Sequence, residues 1–93
     1  MFVFSVSAKA TKAIDEFAEG DTAPFIVYIN FKDLLGAEAL CKLFVMREGF
    51  KDVTIEKRQM ISEEKLADQR IIDADKGLKE ALKTGYALQL FSA

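Results

Sequence analysis

The side chains that could do chemistry are few. The chain has no His and a single Cys, Cys41, so the commonest general base and the commonest metal ligand are both missing. Cys41 follows Leu40 and precedes Phe44 by three positions. No base is at hand to make a thiolate there, and the residue reads as a buried structural thiol. Asp73, Asp75 and Gly77 begin like a calcium loop, but the third oxygen ligand, the Gly and the Glu of that loop would fall on Gly77, Leu78 and Thr84. Asp15, Glu16, Glu19 and Asp21 read as one solvated turn. The five glycines, Gly20, Gly36, Gly49, Gly77 and Gly85, stand too far apart to cradle a phosphate. No metal and no cofactor is therefore expected. The best-placed carboxylate is Asp33, at the end of a strand and the start of a helix, with Asn30 and Lys32 beside it. Strand ends of α/β sheets hold ligands, so Asn30 to Asp33 is the alternative site of a small-molecule-binding or His-independent enzyme domain. The ordinary role of Asp33 there is to cap the helix.

With 93 residues, 51% apolar and 30% charged, the chain is read as one folded domain, 1–93, and not as a disordered tail. No apolar run approaches the ~18 residues of a membrane span, and the apolar start has no basic residue before it, so it reads as a strand and not a secretory signal. One Cys makes no internal disulfide, and a reducing, cytoplasmic location is expected. A net charge of −2 without a basic block argues against nucleic acid. The run Val27-Tyr28-Ile29-Asn30-Phe31 resembles the shorter signature of the RNA-recognition motif, but the spacing to Asn is one residue short and the longer signature is absent. Single-stranded nucleic acid is accordingly the least favoured partner.

The elements that must position these residues follow from periodicity. Met1 to Val6 and Tyr86 to Phe91 read as strands, and Phe25 to Phe31 is the strongest strand signal. Asp52 to Met60 alternates as a half-exposed strand. Ala10, Ala13, Ile14 and Phe17 recur at helical spacing after a Ser7 cap, ending at Gly20. A second helix runs from about Asp33 to Glu48. Ser62 caps a third, which carries Ala67, Ile71, Ala74, Leu78 and Ala81 as one stripe and can break around Asp73 to Gly77.

The resulting order is β-α-β-α-β-α-β. Sorted by alternation, one sheet face is apolar throughout. The other collects Ile26, Tyr28, Thr54, Glu56, Arg58, Gln89 and Phe91, a half-polar set that helices would not bury. The expectation is therefore an α/β (α+β) two-layer sandwich, a mixed four-stranded sheet with about three helices mainly on one face. It is similar in general architecture to a ferredoxin-like fold.

Apolar residues exceed what one core needs. The second helix is apolar around nearly its whole circumference. With Leu40, Leu43 and Phe44 taken as its inward side, Val45 and Met46 point away, either under the third helix or toward a partner. The chain thus reads as a non-enzymatic protein-interaction module that meets another protein or a second copy of itself. An inhibitor or accessory protein of a phage or mobile element, or a small subunit of a larger complex, would look this way. The expected interface residues are Tyr28, Glu56, Arg58, Gln89 and Phe91 on the open sheet face, with Val45 and Met46 as the alternative surface.

Overall fold

The computed structural model describes residues 1–91. Its frame is a four-stranded sheet of β1 (Phe2–Ala10), β2 (Thr22–Ile29), β3 (Phe50–Met60) and β4 (Tyr86–Leu90), ordered β3-β1-β2-β4. All three pairings are antiparallel, so the sheet is not mixed. Helix α1 (Leu34–Arg47) connects β2 to β3, and α2 (Glu63–Leu66), α3 (Gln69–Ala74) and α4 (Lys76–Thr84) connect β3 to β4.

The helix expected after Ser7 is absent, because β1 continues through it. Ala8 and Ala10 keep the two-residue alternation that begins at Phe2, and both are buried. Alanine favours helices by intrinsic propensity. Here it pairs instead, Ala8 with Ala23 and Ala10 with Phe50. The chain then turns through a tight reversal in which Ile14 N donates to Phe17 O at 2.9 Å and Phe17 N donates to Ile14 O at 2.8 Å, with Asp15 at a φ of 51°. The first two strands are therefore joined without a helix. A ferredoxin-like order requires a helix at that position, so that comparison does not extend to the connectivity.

Helices cover both faces of the sheet. Phe4, Val6, Phe25, Val27 and Ile29 meet Ala37, Cys41 and Val45 of α1 in the larger core. On the opposite face Val3, Ile26, Tyr28 and Ala87 meet Leu78 and Ala81 of α4 in a second core. The architecture is α+β with the sheet in the middle, which corrects the two-layer expectation. The face expected to be open is closed over its apolar part, Val3, Ile26, Tyr28 and Ala87, while its polar side chains on the edge strand β3, Thr54, Lys57 and Gln59, stay exposed. Between Ser5 and Val6 the partner residue jumps from Lys57 to Ile55, a bulge that leaves Glu56 over and reverses the alternation beyond it. Arg58 consequently stands opposite Phe4 and shares the face of α1.

The third helical region is three helices, each with its own cap. Ser62 Oγ accepts from Lys65 N at 3.4 Å, Asp68 Oδ1 from Arg70 N at 3.0 Å and Asp75 Oδ1 from Leu78 N at 3.1 Å. The break at Asp73 to Gly77 is thus a helix start. No helix among the described residues is long and apolar enough to cross a membrane.

Candidate interaction surface

Helix α1 begins at Asp33, whose Oδ2 accepts from Gly36 N at 2.7 Å, and the chain leaves it through Gly49 at a φ of 97°. Its inward stripe is Ala37, Cys41 and Val45, all buried, each four residues after the last. These are small because the sheet surface below already presents Phe2, Phe4, Phe25 and Phe50, and close packing leaves room only for short side chains from the helix. The helix spans the sheet and is fastened at both edges. The Arg58 guanidinium of β3 pairs with the Glu38 carboxylate, and the Phe44 ring stacks on Tyr86 of β4 with centroids 4.1 Å apart.

This phase settles the two alternative residues differently. Val45 is fully buried and belongs to no surface. Met46 is 55% exposed, and with it Leu35 at 75% and Leu43 at 50%. Ala39, also exposed, completes an outer stripe Leu35, Ala39, Leu43, Met46 at helical spacing. Leu43, expected on the inward side with Leu40 and Phe44, lies on the outer side instead. The signal that would have placed it is the run of small residues Ala37, Cys41 and Val45. Helices α2, α3 and α4 lie across the sheet on the other face, so none of them covers this stripe. Lys42, also exposed, borders it on one side.

Of the residues expected on the open sheet face, Tyr28 and Gln89 share one face of adjacent strands, and Glu56 and Arg58 do not join them. Tyr28 is only 7% exposed, beneath α4. Its hydroxyl donates to both oxygens of Asp75, 3.0 Å from each, and its ring lies against Gly77. Burial, followed by the adjoining Asp75 carboxylate, pushes the Tyr28 phenol up to about 12. Arg58 is on the other face for the reason given above. Glu56 is exposed on β3, while Gln89 of β4 and Phe91, just past its end, lie across the two central strands. The outer edge of β3 also carries Lys51, Lys57 and two register breaks, features that discourage a further strand from pairing there.

The one thiol, Cys41, is buried on the inward side of α1. Burial, followed by the charge of Glu38 and only partly offset by Lys42, pushes the Cys41 thiol up to about 12. Among the described residues no group of His, Cys, Asp and Glu is arranged to hold a metal ion. Asp33 is committed to its cap. The segment it closes does border a cleft of about 690 Å³, lined by Phe2, Asn30, Phe31, Lys32, Met60 and Leu66 among others.

The chain matches no family model, and neither a curated protein nor a solved structure is similar to it.

Proposed function

We propose that this chain is a small non-enzymatic interaction module that docks another protein or a second copy of itself through the outer face of α1. One observation carries the reading: Leu35, Ala39, Leu43 and Met46 form a continuous exposed apolar stripe on a helix whose opposite side is already fully used in the core. An apolar stripe left in water marks an interaction site in a folded domain. The roles expected from the sequence, an inhibitor or accessory protein of a phage or mobile element and a small subunit of a larger complex, need such a surface and no catalytic group. The test is a photo-crosslinking amino acid placed at Leu43, or at Glu80 on the outer side of α4, in the cells that produce the protein. Adducts from position 43 and none from position 80 are expected. Equal labelling from both positions, or none from 43, would overturn the reading.

The cleft beside Asn30 and Lys32 favours a second reading, a site for a small amphipathic anion. Its volume of about 690 Å³ lies within the range of ligand pockets, roughly 300–1,000 Å³. Its lining is mostly apolar, and Lys32 has no carboxylate partner among the described ion pairs. Anilinonaphthalene sulfonate fluorescence would test it. Loss of signal in Phe31→Ala and Lys32→Gln supports the cleft, and loss in Leu43→Gln alone sinks it.

A further inference from the structure

We infer that the occupant of the α1 outer face is a second copy of this chain, packed antiparallel about a two-fold axis that runs between the two helices at the level of Leu40 and Cys41. The inference rests on the reading of that face as the interaction surface, and it adds the partner and its orientation.

The stripe is complementary to its own reverse. An antiparallel pair in which Leu35 meets Met46 of the second copy also brings Ala39 level with Lys42 of that copy. Leu43 of the second copy is then one residue further along, a displacement of about 1.5 Å, and falls beside the small Ala39 where there is room for it. The same fit occurs twice by symmetry, as a closed two-fold contact requires.

Charge chooses the same orientation. Glu38 and Lys42 lie on one flank of the stripe, one turn apart, and Gly36 and Arg47 on the other. A two-fold axis perpendicular to the helix sets like flanks together with their direction reversed, so Lys42 of each copy approaches Glu38 of the other. Glu38 is already ordered by its pairing with Arg58 of its own chain, and its 19% exposed side chain presents a fixed acceptor edge at the border of the stripe. A parallel pair would turn the Glu38–Lys42 flank toward Gly36 and Arg47, setting cation toward cation.

The contact is also of limited size. A helix of 14 residues offers roughly half of the ~800 Å² per partner that a standard interface buries. Association is therefore concentration-dependent and reversible.

Light scattering coupled to gel filtration on the whole chain tests this. The mass is expected to climb from 10.4 kDa toward twice that value between ~1 and ~500 μM. Lys42→Glu alone and Glu38→Lys alone should each need at least ~10-fold more protein to associate, and an equimolar mixture of the two should dimerise like the parent. Oxidation with copper–phenanthroline supplies an arm that does not depend on charge. Ala39→Cys, near the axis, should crosslink to itself. Leu35→Cys should not, because an antiparallel pair separates the two copies of that residue by about 16 Å. A parent that stays monomeric at ~500 μM overturns the inference, and so does a mixture that fails to associate, or self-crosslinking of Leu35→Cys in place of Ala39→Cys. A monomer that still gives Leu43 photo-adducts heavier than two chains defeats the second copy and leaves the surface standing. A monomer with no adducts defeats both.

Discussion

The two faces of the sheet are covered by helices of different construction. Under α1 the core is large and wholly apolar, with Phe4, Val6, Phe25 and Val27 against Ala37, Cys41 and Val45. Under α4 it is small and holds one polar bond at its edge, from Tyr28 to Asp75. The outer side of α4 is charged, with Lys76, Lys79, Glu80 and Lys83, whereas that of α1 is Leu35, Ala39, Leu43 and Met46. A helix meant only to cover a sheet needs a polar back, and α4 has one. The apolar back of α1 is covered by no other element among the described residues, which is why the proposed interaction surface lies on one helix and not the other.

The sharpest way to break the α4 side is Gly77→Ala. A Cβ there would fall 2.6 Å from Tyr28 Cζ and 2.7 Å from Cδ1. The ring cannot withdraw, being buried in the sheet with its hydroxyl held by Asp75. The expected loss in urea unfolding is about 2–3 kcal/mol, more than the helix propensity gained by replacing Gly. An unchanged midpoint would mean that α4 does not sit on Tyr28.

Tyr28→Phe comes next, at about 1–2 kcal/mol for a bond to a charged acceptor. It also carries a pH signature. The phenol is raised from 10.0 to about 12 in the folded chain, so its proton leaves more easily when the chain unfolds. The contribution is whole below pH 10 and is lost as pH rises from 10 through about 12. The parent should lose stability over that interval more steeply than Tyr28→Phe. Cys41, raised from 9.0 to about 12, adds a loss that begins lower and is common to both proteins. Parallel melting curves for the two would remove Tyr28 from the account.

How much of this contrast was legible follows from where local rules meet tertiary ones. Strands β2 and β4, the Asp33 and Ser62 caps and the extent of α1 follow from patterning and turn chemistry that act within a few residues. The faces did not. A bulge such as the one at Glu56 has no compositional mark, yet it moves Arg58 to the α1 face and brings Lys57 and Gln59 to the other. Alternation also counts the polar edge of β3 against the Tyr28 face, whereas α4 needs only the apolar centre made by Val3, Ile26, Tyr28 and Ala87. The alanines of β1 misled for a related reason. Their propensity is helical, and only partners distant in sequence, Ala23 and Phe50, hold them in a strand. On α1 the phase was lost because side-chain size was weighed without the phenylalanines that the helix must approach.

The glycine of α1 sharpens the comparison from the other side. A Cβ at Gly36 would also lie close to a ring, 2.5 Å from Phe31 Cε2 and 3.1 Å from Cδ2, but Phe31 is 45% exposed and free to swing toward solvent. Gly36→Ala is expected to change stability by less than ~1 kcal/mol, with the propensity gain offsetting the displaced ring. A loss as large as that of Gly77→Ala would show that Phe31 is held where the exposure says it is free.

The smallest effect on stability belongs to Leu43→Gln, and its smallness is the point. Leu43 is half exposed on the outer side of α1, so the polar side chain removes little buried area and meets water already present. The unfolding midpoint of the dilute monomer should move by no more than ~0.5 kcal/mol. At concentrations where the parent associates, however, the variant should lag, because an association partner that binds only the folded chain adds to its apparent stability. The parent's midpoint should therefore rise with protein concentration, and that of Leu43→Gln should not. Equal concentration dependence in the two would place the contact elsewhere than on this helix. A large loss in the dilute variant would mean that Leu43 packs inward, and that the two helices differ less than their backs suggest.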